Sequence, residues 1–288
     1  MIPAAFDYAR ASSLDEALRL LQEAGPDAKL LAGGHSLLPM MKLRLAEPPV
    51  LVDIGGIAEL RGIRLEGDEL VIGALTTHAE VAGSVQVAEA FPLLAQAAGA
   101  IGDLQVRNRG SVGGNLAHAD PSSDLPAVVL ALEARLVLRS PSGERAVPAR
   151  EFFLGPFTTA LEPGEILTEV RFPLLGGRTG TAYVKHPHPA SGYAVVGVAA
   201  VVRLAADGSV EQARIGVTGV ALSAFRAEAV EAALHGRKPD PSVLREAVSH
   251  ATDGVEVNGD LYASGEFRAH LCRHHMTEAL QKAAAAAA

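Results

Sequence analysis

Apolar residues recur at helical spacing near the start of the chain, and short apolar strands broken by glycine and proline follow them. The capping box Ser13-Leu-Asp-Glu16 precedes the first apolar face, so residues 13–24 are predicted to form a helix. Lys29 to Leu31 predicts a short strand. A glycine-containing loop, residues 32–36, then leads into a helix predicted over 37–45. Ser36, the last residue of this loop, is predicted to cap the helix.

The pattern continues to alternate between strands and helices as far as residue 176. Alternation with period two predicts strands at 50–54, 63–65, 70–72, 135–139, 145–147 and 166–172. Helical spacing predicts helices near 93–100 and 125–132. A second capping box, Thr77-His-Ala-Glu80, marks a further helix start.

The best candidate for a domain boundary is Leu175-Gly-Gly177. Beyond it the pattern predicts strands near 182–185, 194–204 and 212–217, followed by helices near 223–234, 241–250 and 265–282. Strands followed by helices predict an α+β domain. Because 288 residues exceed the size at which a single core usually stops growing, we expect two domains, residues 1–176 and 177–288.

Composition narrows the function classes. The single cysteine, Cys272, excludes an internal disulfide and any iron–sulfur or structural zinc site that needs several thiolates. A net charge of −8 without lysine or arginine runs argues against a nucleic-acid surface. The longest apolar run, Ala194 to Val202, is far shorter than the ~20 residues of a membrane span. Asp7 and Arg10 interrupt the region where a signal peptide would be apolar, so we expect a cytoplasmic chain.

Two glycine-rich stretches, within residues 29–45 and 110–116, are predicted to share one design of strand, bare loop and helix. Glycine permits positive φ and close approach, so successive backbone N–H groups can point into one concavity and hold an anion. A helix start at Ser36 would add partial positive charge. Two such anion-binding concavities suit a diphosphate. The alternative, that the glycines serve only tight turns, stays open. Neither stretch has the P-loop or the G-x-G-x-x-G pattern, which argues against a P-loop kinase and a Rossmann dehydrogenase.

Histidines offer weaker signals. His270, His274 and His275 flank Cys272, and the i, i+4 spacing of His270 and His274 could hold a metal. No acidic third ligand is obvious on the right helix face, so we expect no metal site. His35 and His118 are expected to order loops by hydrogen bonding. Gly110-Ser-Val-Gly113 lacks the nucleophile-elbow pattern, so no Ser-His-Asp triad and no catalytic residue is predicted.

Two motifs carry a family resemblance. Residues 32–44 (AGGHSLLPMMKLR) and 105–126 (QVRNRGSVGGNLAHADPSSDLP) closely resemble the FAD-binding medium subunit of aerobic carbon monoxide dehydrogenases, and more broadly the flavoprotein part of the xanthine dehydrogenase family. The likeness runs almost from end to end and includes residues 165–173 and 191–197. It implies an α+β chain: a two-subdomain FAD-binding fold of the vanillyl-alcohol-oxidase (p-cresol methylhydroxylase) type, followed by a small C-terminal domain of the carbon monoxide dehydrogenase flavoprotein type.

The resemblance also implies partners and a role. A large subunit would carry a molybdopterin cofactor and a small subunit two 2Fe–2S clusters, in a dimer of heterotrimers. Electrons would pass from molybdenum through iron–sulfur to FAD and then to an external acceptor. The FAD would be noncovalent, because no histidine or cysteine lies where the family would need a tether.

The resemblance implies which residues contact FAD. They are Ala32, Gly33, Gly34, His35, Ser36, Leu37, Ile101, Ser111, Val112, Gly113, Gly114, Asn115, Asp120, Asp124, Leu167, Lys185 and Tyr193. The glycine stretches would bind the diphosphate through backbone amides, and Asp124 would contact the adenosine end. Leu167 and Lys185 would lie at the flavin or adenine edge, and Tyr193 would cover the isoalloxazine. Ile101 stands where xanthine dehydrogenases tend to place an aromatic residue.

Two other functions fit the same resemblance less well. A freestanding flavin oxidase or reductase would need its own base beside the flavin, and the C-terminal region offers no convincing candidate. A redox-silent FAD-binding assembly protein would keep the pocket for its shape alone. The substrate of the molybdenum subunit and the electron acceptor, whether quinone, NAD or dioxygen, are not encoded in this sequence.

Overall fold

The computed structural model describes residues 2–288, and it begins with a small parallel sheet. In chain order its elements are β1 (Asp7–Arg10), α1 (Leu14–Ala24), β2 (Lys29–Leu31), α2 (Leu37–Lys42) and β3 (Val50–Asp53). β3 is central and pairs in parallel with both β1 and β2. The carboxyl ends of the strands therefore meet at one edge, where the first glycine segment leaves β2.

A second sheet follows in which neighbouring strands are antiparallel, in the order β4-β5-β10-β6-β7. Buried residues of this sheet and of the helices around it form one hydrophobic core. The elements of this part of the chain are β4 (Ile63–Glu66), β5 (Glu69–Gly73), α3 (His78–Gly83), α4 (Val85–Ala90), α5 (Pro92–Ala100), α6 (Leu104–Arg109), α7 (Val112–His118), α8 (Asp124–Ala131), β6 (Arg135–Ser140), β7 (Gly143–Pro148), α9 (Ala149–Phe152), the small hairpin β8 (Phe153–Gly155) and β9 (Thr158–Thr159), and β10 (Ile166–Pro173).

The third sheet is antiparallel, in the order β11-β12-β13-β14, and the last helices follow it. Its elements are β11 (Arg178–Pro187), β12 (Ala194–Leu204), β13 (Val210–Thr218), β14 (Phe225–Arg226), α10 (Glu228–Leu234), α11 (Pro241–Val248) and α12 (Gly265–Ala287). The α+β class is therefore confirmed, while the domain limits of 1–176 and 177–288 stay a prediction.

β12 explains the longest apolar run of the sequence. Ala199 and Val201 belong to the core shared with the second sheet, whereas Val198 and Ala200 belong to the core shared with α12. A strand buried on both faces loses the polar positions that alternation would require. None of the helices among residues 2–288 combines the length and the apolar composition needed to cross a bilayer.

Three predicted helices differ from the structure. The helix predicted over 223–234 begins only at Glu228, because Phe225 and Arg226 pair with β13. The helix predicted over 37–45 ends at Lys42. The helix predicted over 265–282 continues to Ala287, since its last alanines pack into the core. The first strand, β1, was not predicted.

The second glycine stretch is not a strand, loop and helix, and that prediction is wrong. Helix α6 precedes it instead of a strand, and Gly110 and Ser111 alone separate α6 from α7. Gly113 and Gly114 therefore lie in the first turn of α7, where Ser111 is the N-cap and accepts the Gly114 N–H. The stretch thus presents a helix start rather than a loop.

Candidate functional site

A cavity of about 560 Å³ lies where the edge of the first sheet, helix α7 and the loop before β12 come together. Its walls come from residues 32–37, from the start of α7, from β10 and from residues 191–193. The volume is typical of a small-molecule site. Segments far apart in sequence therefore form one binding surface.

The first glycine segment presents free backbone donors. Among residues 2–288, no acceptor is found for the N–H groups of Gly33, Gly34 and His35. Gly34 has a φ of 74°, which favours glycine, and the His35 imidazole Nδ1 lies 2.9 Å from the Gly33 carbonyl oxygen. Ser36 stands at the N-cap of α2 without making a side-chain capping bond. Successive unpaired N–H groups beside a cavity form an arrangement that binds anions.

The two glycine stretches are in direct contact. A Cβ on Gly33 would lie 2.1 Å from the Arg109 carbonyl oxygen, so only glycine fits there. A Cβ on Gly114 would lie 3.8 Å from the Ala32 Cβ, which is an ordinary contact distance. The start of α7 therefore lies beside the free amides of the first segment.

Two amides of the second stretch, which the resemblance assigned to the diphosphate, have acceptors within the protein. The N–H of Val112 donates to the Thr76 carbonyl oxygen at 2.9 Å, and that of Gly113 donates to the Ala74 carbonyl oxygen at 2.8 Å. A Cβ on Gly113 would lie 2.4 Å from the Ala74 Cβ, so this glycine allows α7 to pack closely on the segment after β5. Gly113 therefore shapes the cavity only by leaving space where a side chain would otherwise lie.

A buried charge cluster lies at the start of α8. Asp124 is 3% exposed, and its carboxylate accepts hydrogen bonds from Lys185 Nζ at 2.9 Å and from the Tyr183 hydroxyl. Burial raises the pKa of Asp124, while the Lys185 ammonium and the Tyr183 hydroxyl act in the opposite direction. Lys185 Nζ also donates to the Ala100 carbonyl oxygen at 2.9 Å, next to Ile101. Asp124 and Lys185 would therefore both lie near the same end of a ligand bound in the cavity.

The third sheet holds the segment that carries Asp124. The Thr218 hydroxyl lies 2.9 Å from the Pro121 carbonyl oxygen and 2.7 Å from the Ser123 carbonyl oxygen. The N–H of Ala194 donates to the Ser122 carbonyl oxygen at 3.1 Å. The C-terminal sheet is thus part of the support of the cavity.

Apolar side chains and one tyrosine surround the charge cluster. Ile101 and Leu167 are buried and line the cavity. Tyr193 is 41% exposed, and its loop packs on the turn after α5, where a Cβ on Gly192 would lie 3.3 Å from the Gly102 Cα. Burial and the charges of neighbouring aspartates raise the pKa of Tyr193, so its hydroxyl is neutral at pH 7.

Most of the predicted residues line this cavity, but three do not. Val112 is 2% exposed and lies in the core. Asp120 lies in a turn, where its carboxylate accepts the Ser122 N–H at 2.8 Å. Lys185 does not line the cavity itself, and its ammonium group contacts Asp124, which does. The predicted residues that line the cavity are Ala32, Gly33, Gly34, His35, Ser36, Leu37, Ile101, Ser111, Gly113, Gly114, Asn115, Asp124, Leu167 and Tyr193.

His78 lines the cavity and was not predicted. It is 2% exposed, and its Nδ1 is buried without a hydrogen-bond partner in residues 2–288. Burial, together with neighbouring His35, lowers the pKa of His78 to about 4, so the ring is neutral at pH 7. The Thr77–Glu80 capping box is complete in the structure and fixes His78 as the first residue of α3. This capping box, which is visible in the sequence, is the signal that could have identified the position of His78.

Other wall residues also escaped prediction. The rings of His118 and Phe157 have centroids 5.1 Å apart, and both residues line the cavity. Glu165 lies in the wall, and its carboxylate accepts a hydrogen bond from Arg145 Nε at 2.7 Å. Phe157 and Glu165 follow α8 by many residues, so only the tertiary fold brings them here.

The chemistry of the cavity is that of a binding site for an elongated anionic cofactor. Free amides at one region suit a diphosphate, and the buried apolar walls around Ile101 and Leu167 suit a flat ring system. These residues fit FAD, in which a diphosphate joins a flavin to an adenosine.

Two family models match the chain. Residues 4–175 match the FAD binding domain in molybdopterin dehydrogenase. Residues 181–283 match the CO dehydrogenase flavoprotein C-terminal domain.

Similar proteins match along their whole length. The carbon monoxide dehydrogenase medium chain of Hydrogenophaga pseudoflava is 44% identical and covers 98% of both chains. The 6-hydroxypseudooxynicotine dehydrogenase complex subunit alpha of Paenarthrobacter nicotinovorans is 37% identical over 98% of this chain and 96% of that subunit. A solved chain of carbon monoxide dehydrogenase from Hydrogenophaga pseudoflava, in a form that lacks the Mo-pyranopterin moiety, superposes with a TM-score of 0.97 at 46% identity and covers 100% of both chains.

Proposed function

Because the chain belongs to the family of FAD-binding medium subunits of molybdopterin-containing dehydrogenases, we propose that it passes electrons from the iron–sulfur clusters of a partner subunit through noncovalent FAD to an external acceptor. The observation that carries the proposal is the meeting of the two glycine stretches at one cavity with three free amides. The full-length match to a carbon monoxide dehydrogenase medium chain supports it.

The first glycine segment binds the diphosphate in this proposal. The N–H groups of Gly33, Gly34 and His35 donate to phosphate oxygens, and the start of α2 at Ser36 adds partial positive charge. Gly113 and Gly114 leave room for the diphosphate instead of binding it through their amides. His78, neutral at pH 7, lies in the same wall.

Ile101, Leu167 and Tyr193, which line one end of the cavity, would hold the flavin ring. FAD supplies the redox chemistry when bound, because its ring takes up and releases electrons singly or in pairs. Lys185 lies next to this end, outside the cavity wall, and its ion pair with Asp124 fixes the position of the Lys185 ammonium group. We therefore assign Asp124 to the flavin end, whereas the family resemblance implied a contact with the adenosine end.

The rest of the assembly follows from the same family. A large subunit carries molybdopterin and a small subunit carries two 2Fe–2S clusters, in a cytoplasmic dimer of heterotrimers. Residues 1–176 form the FAD domain, and residues 177–288 form the C-terminal domain. The large subunit sets the substrate, because the cavity of this chain accommodates the cofactor.

Purification of the complex with its partner subunits tests the proposal. We expect molybdenum, iron and FAD in the complex, with FAD released into solution when the protein is denatured. The flavin absorption should bleach when the reduced iron–sulfur subunit is added to the purified chain. A complex without molybdenum and iron would overturn the proposed electron route.

The same experiment separates the two alternatives. Turnover of an organic substrate by this chain alone would favour a freestanding oxidase or reductase. Flavin that binds but is not reduced by the iron–sulfur subunit would favour a redox-silent protein.

A further inference from the structure

A group of metal-ligating side chains lies on the last helix, α12, in the C-terminal part of the chain. One ligand atom from each of His274, His275 and Glu278 lies within 4.8 Å of the other two. His275 and Glu278 are three residues apart, and His275 Nδ1 is 3.6 Å from the Glu278 Oε2. The helix therefore brings two imidazoles and a carboxylate to one point, a combination that the spacing of His270 and His274 does not reveal.

The imidazole of His275 has no other partner. Its side chain is 12% exposed, and both ring nitrogens are buried without a hydrogen bond among residues 2–288. A buried polar nitrogen left unpaired destabilises the folded state, so such groups normally have a partner. A metal ion bound to one nitrogen removes that destabilisation, since the imidazole lone pair is a strong ligand.

Neighbouring side chains contact the group or lie close to it. Glu278 Oε1 accepts a hydrogen bond from Lys282 Nζ at 2.7 Å, which orients the carboxylate and leaves Oε2 facing His275. His186, on β11, has its ring centroid 5.7 Å from that of His275. His274 is exposed, so an ion reaches the group from solvent.

We propose that His274, His275 and Glu278 form a binding site for a divalent transition metal of the Zn²⁺ class. Two imidazoles and one carboxylate are a recurrent zinc donor set that leaves a fourth position open. The site lies on the C-terminal sheet and its helices, so it does not depend on the FAD cavity.

Titration of the tag-free, metal-free full-length chain with Zn²⁺ by calorimetry tests the proposal. Wild type should bind a single Zn²⁺ ion, and Co²⁺ in its place should give the visible absorption of a tetrahedral nitrogen and oxygen site. His275→Asn and Glu278→Gln should each weaken Zn²⁺ binding by about 10-fold or more. The exposed variant His274→Asn should do the same, and it guards against misfolding of the His275 variant.

His250→Asn is the matched control. The His250 Nδ1 faces the Asp253 carboxylate at the same three-residue spacing, but no second histidine completes a group there. This variant should bind Zn²⁺ like wild type. Absence of Zn²⁺ binding by wild type, or equal affinity in the His274, His275 and Glu278 variants, would overturn the proposal. FAD titration of the same samples reports separately on the flavin site.

Discussion

Gly33 lies so close to Arg109 that any side chain on residue 33 would collide with the Arg109 carbonyl oxygen. The distance from an added Cβ to that oxygen would be 2.1 Å. Because the contact is backbone to backbone, a shift of a flexible side chain cannot relieve it. The two glycine stretches are therefore fixed against each other, and the cavity depends on that contact.

Gly33→Ala should weaken FAD binding. The added methyl group forces the two stretches apart and displaces the free amides, at a cost of about 1–3 kcal/mol, which corresponds to a loss of about 5- to 150-fold in affinity. Fluorescence titration of the purified chain with FAD measures the effect. Gly83→Ala is the control, because nothing lies within 4 Å of an added Cβ there. Unchanged FAD affinity in Gly33→Ala would show that the contact does not shape the site.

Asp124→Asn should destabilise the fold more than the double variant Asp124→Asn, Lys185→Met. Both side chains are buried, with 4% and 6% exposure, and a buried ammonium without its carboxylate costs about 3–5 kcal/mol. Removing both charges avoids that penalty. The free energy of unfolding in urea, measured for both single variants and the double variant, gives the coupling energy. Strictly additive losses would mean that the pair is not coupled.

His78 should make the fold sensitive to acid. Its pKa is about 4 in the folded chain and near 6.5 when unfolded, so the unfolded state takes up a proton first as the pH falls below 6.5. This contribution is present above pH 6.5 and is lost progressively down to pH 4, by about 3 kcal/mol in total. Urea unfolding of wild type and His78→Asn across this range measures it. The variant should lose less stability than wild type, and parallel pH profiles would contradict the assignment.

Cys272 should be unreactive in the folded chain. The thiol is fully buried on α12, and burial raises its pKa to about 12, so almost no thiolate exists at pH 8. A thiol reagent should label the native chain only very slowly and should label it fully in urea. Rapid labelling of the native chain would show that α12 opens away from β11 and β12.

Local patterns predicted most of the fold. The bounds of α1, β12 and the hairpin of β6 and β7 lie close to those predicted, because capping residues, turn residues and apolar runs act locally. The predicted family is confirmed by the matches over residues 4–175 and 181–283. The helix start at Glu228 was not predictable in this way, since the pairing of Phe225 with β13 overrides the helical pattern.

The site was less accessible from sequence than the fold. The first glycine segment has the unpaired amides expected of it, whereas the amides of Val112 and Gly113 donate to Thr76 and Ala74. Nothing local to residues 110–116 reveals those acceptors. The same limit explains why His78 was missed and why the ion pair between Asp124 and Lys185 was not predicted. Each depends on a contact between distant segments.

A crystal structure of the chain with FAD tests the central claim most directly. We predict phosphate oxygens within hydrogen-bond distance of the Gly33 and Gly34 N–H groups, with the diphosphate beside the start of α7. A complex in which FAD lies outside this cavity, or in which its diphosphate contacts neither glycine stretch, would contradict the account.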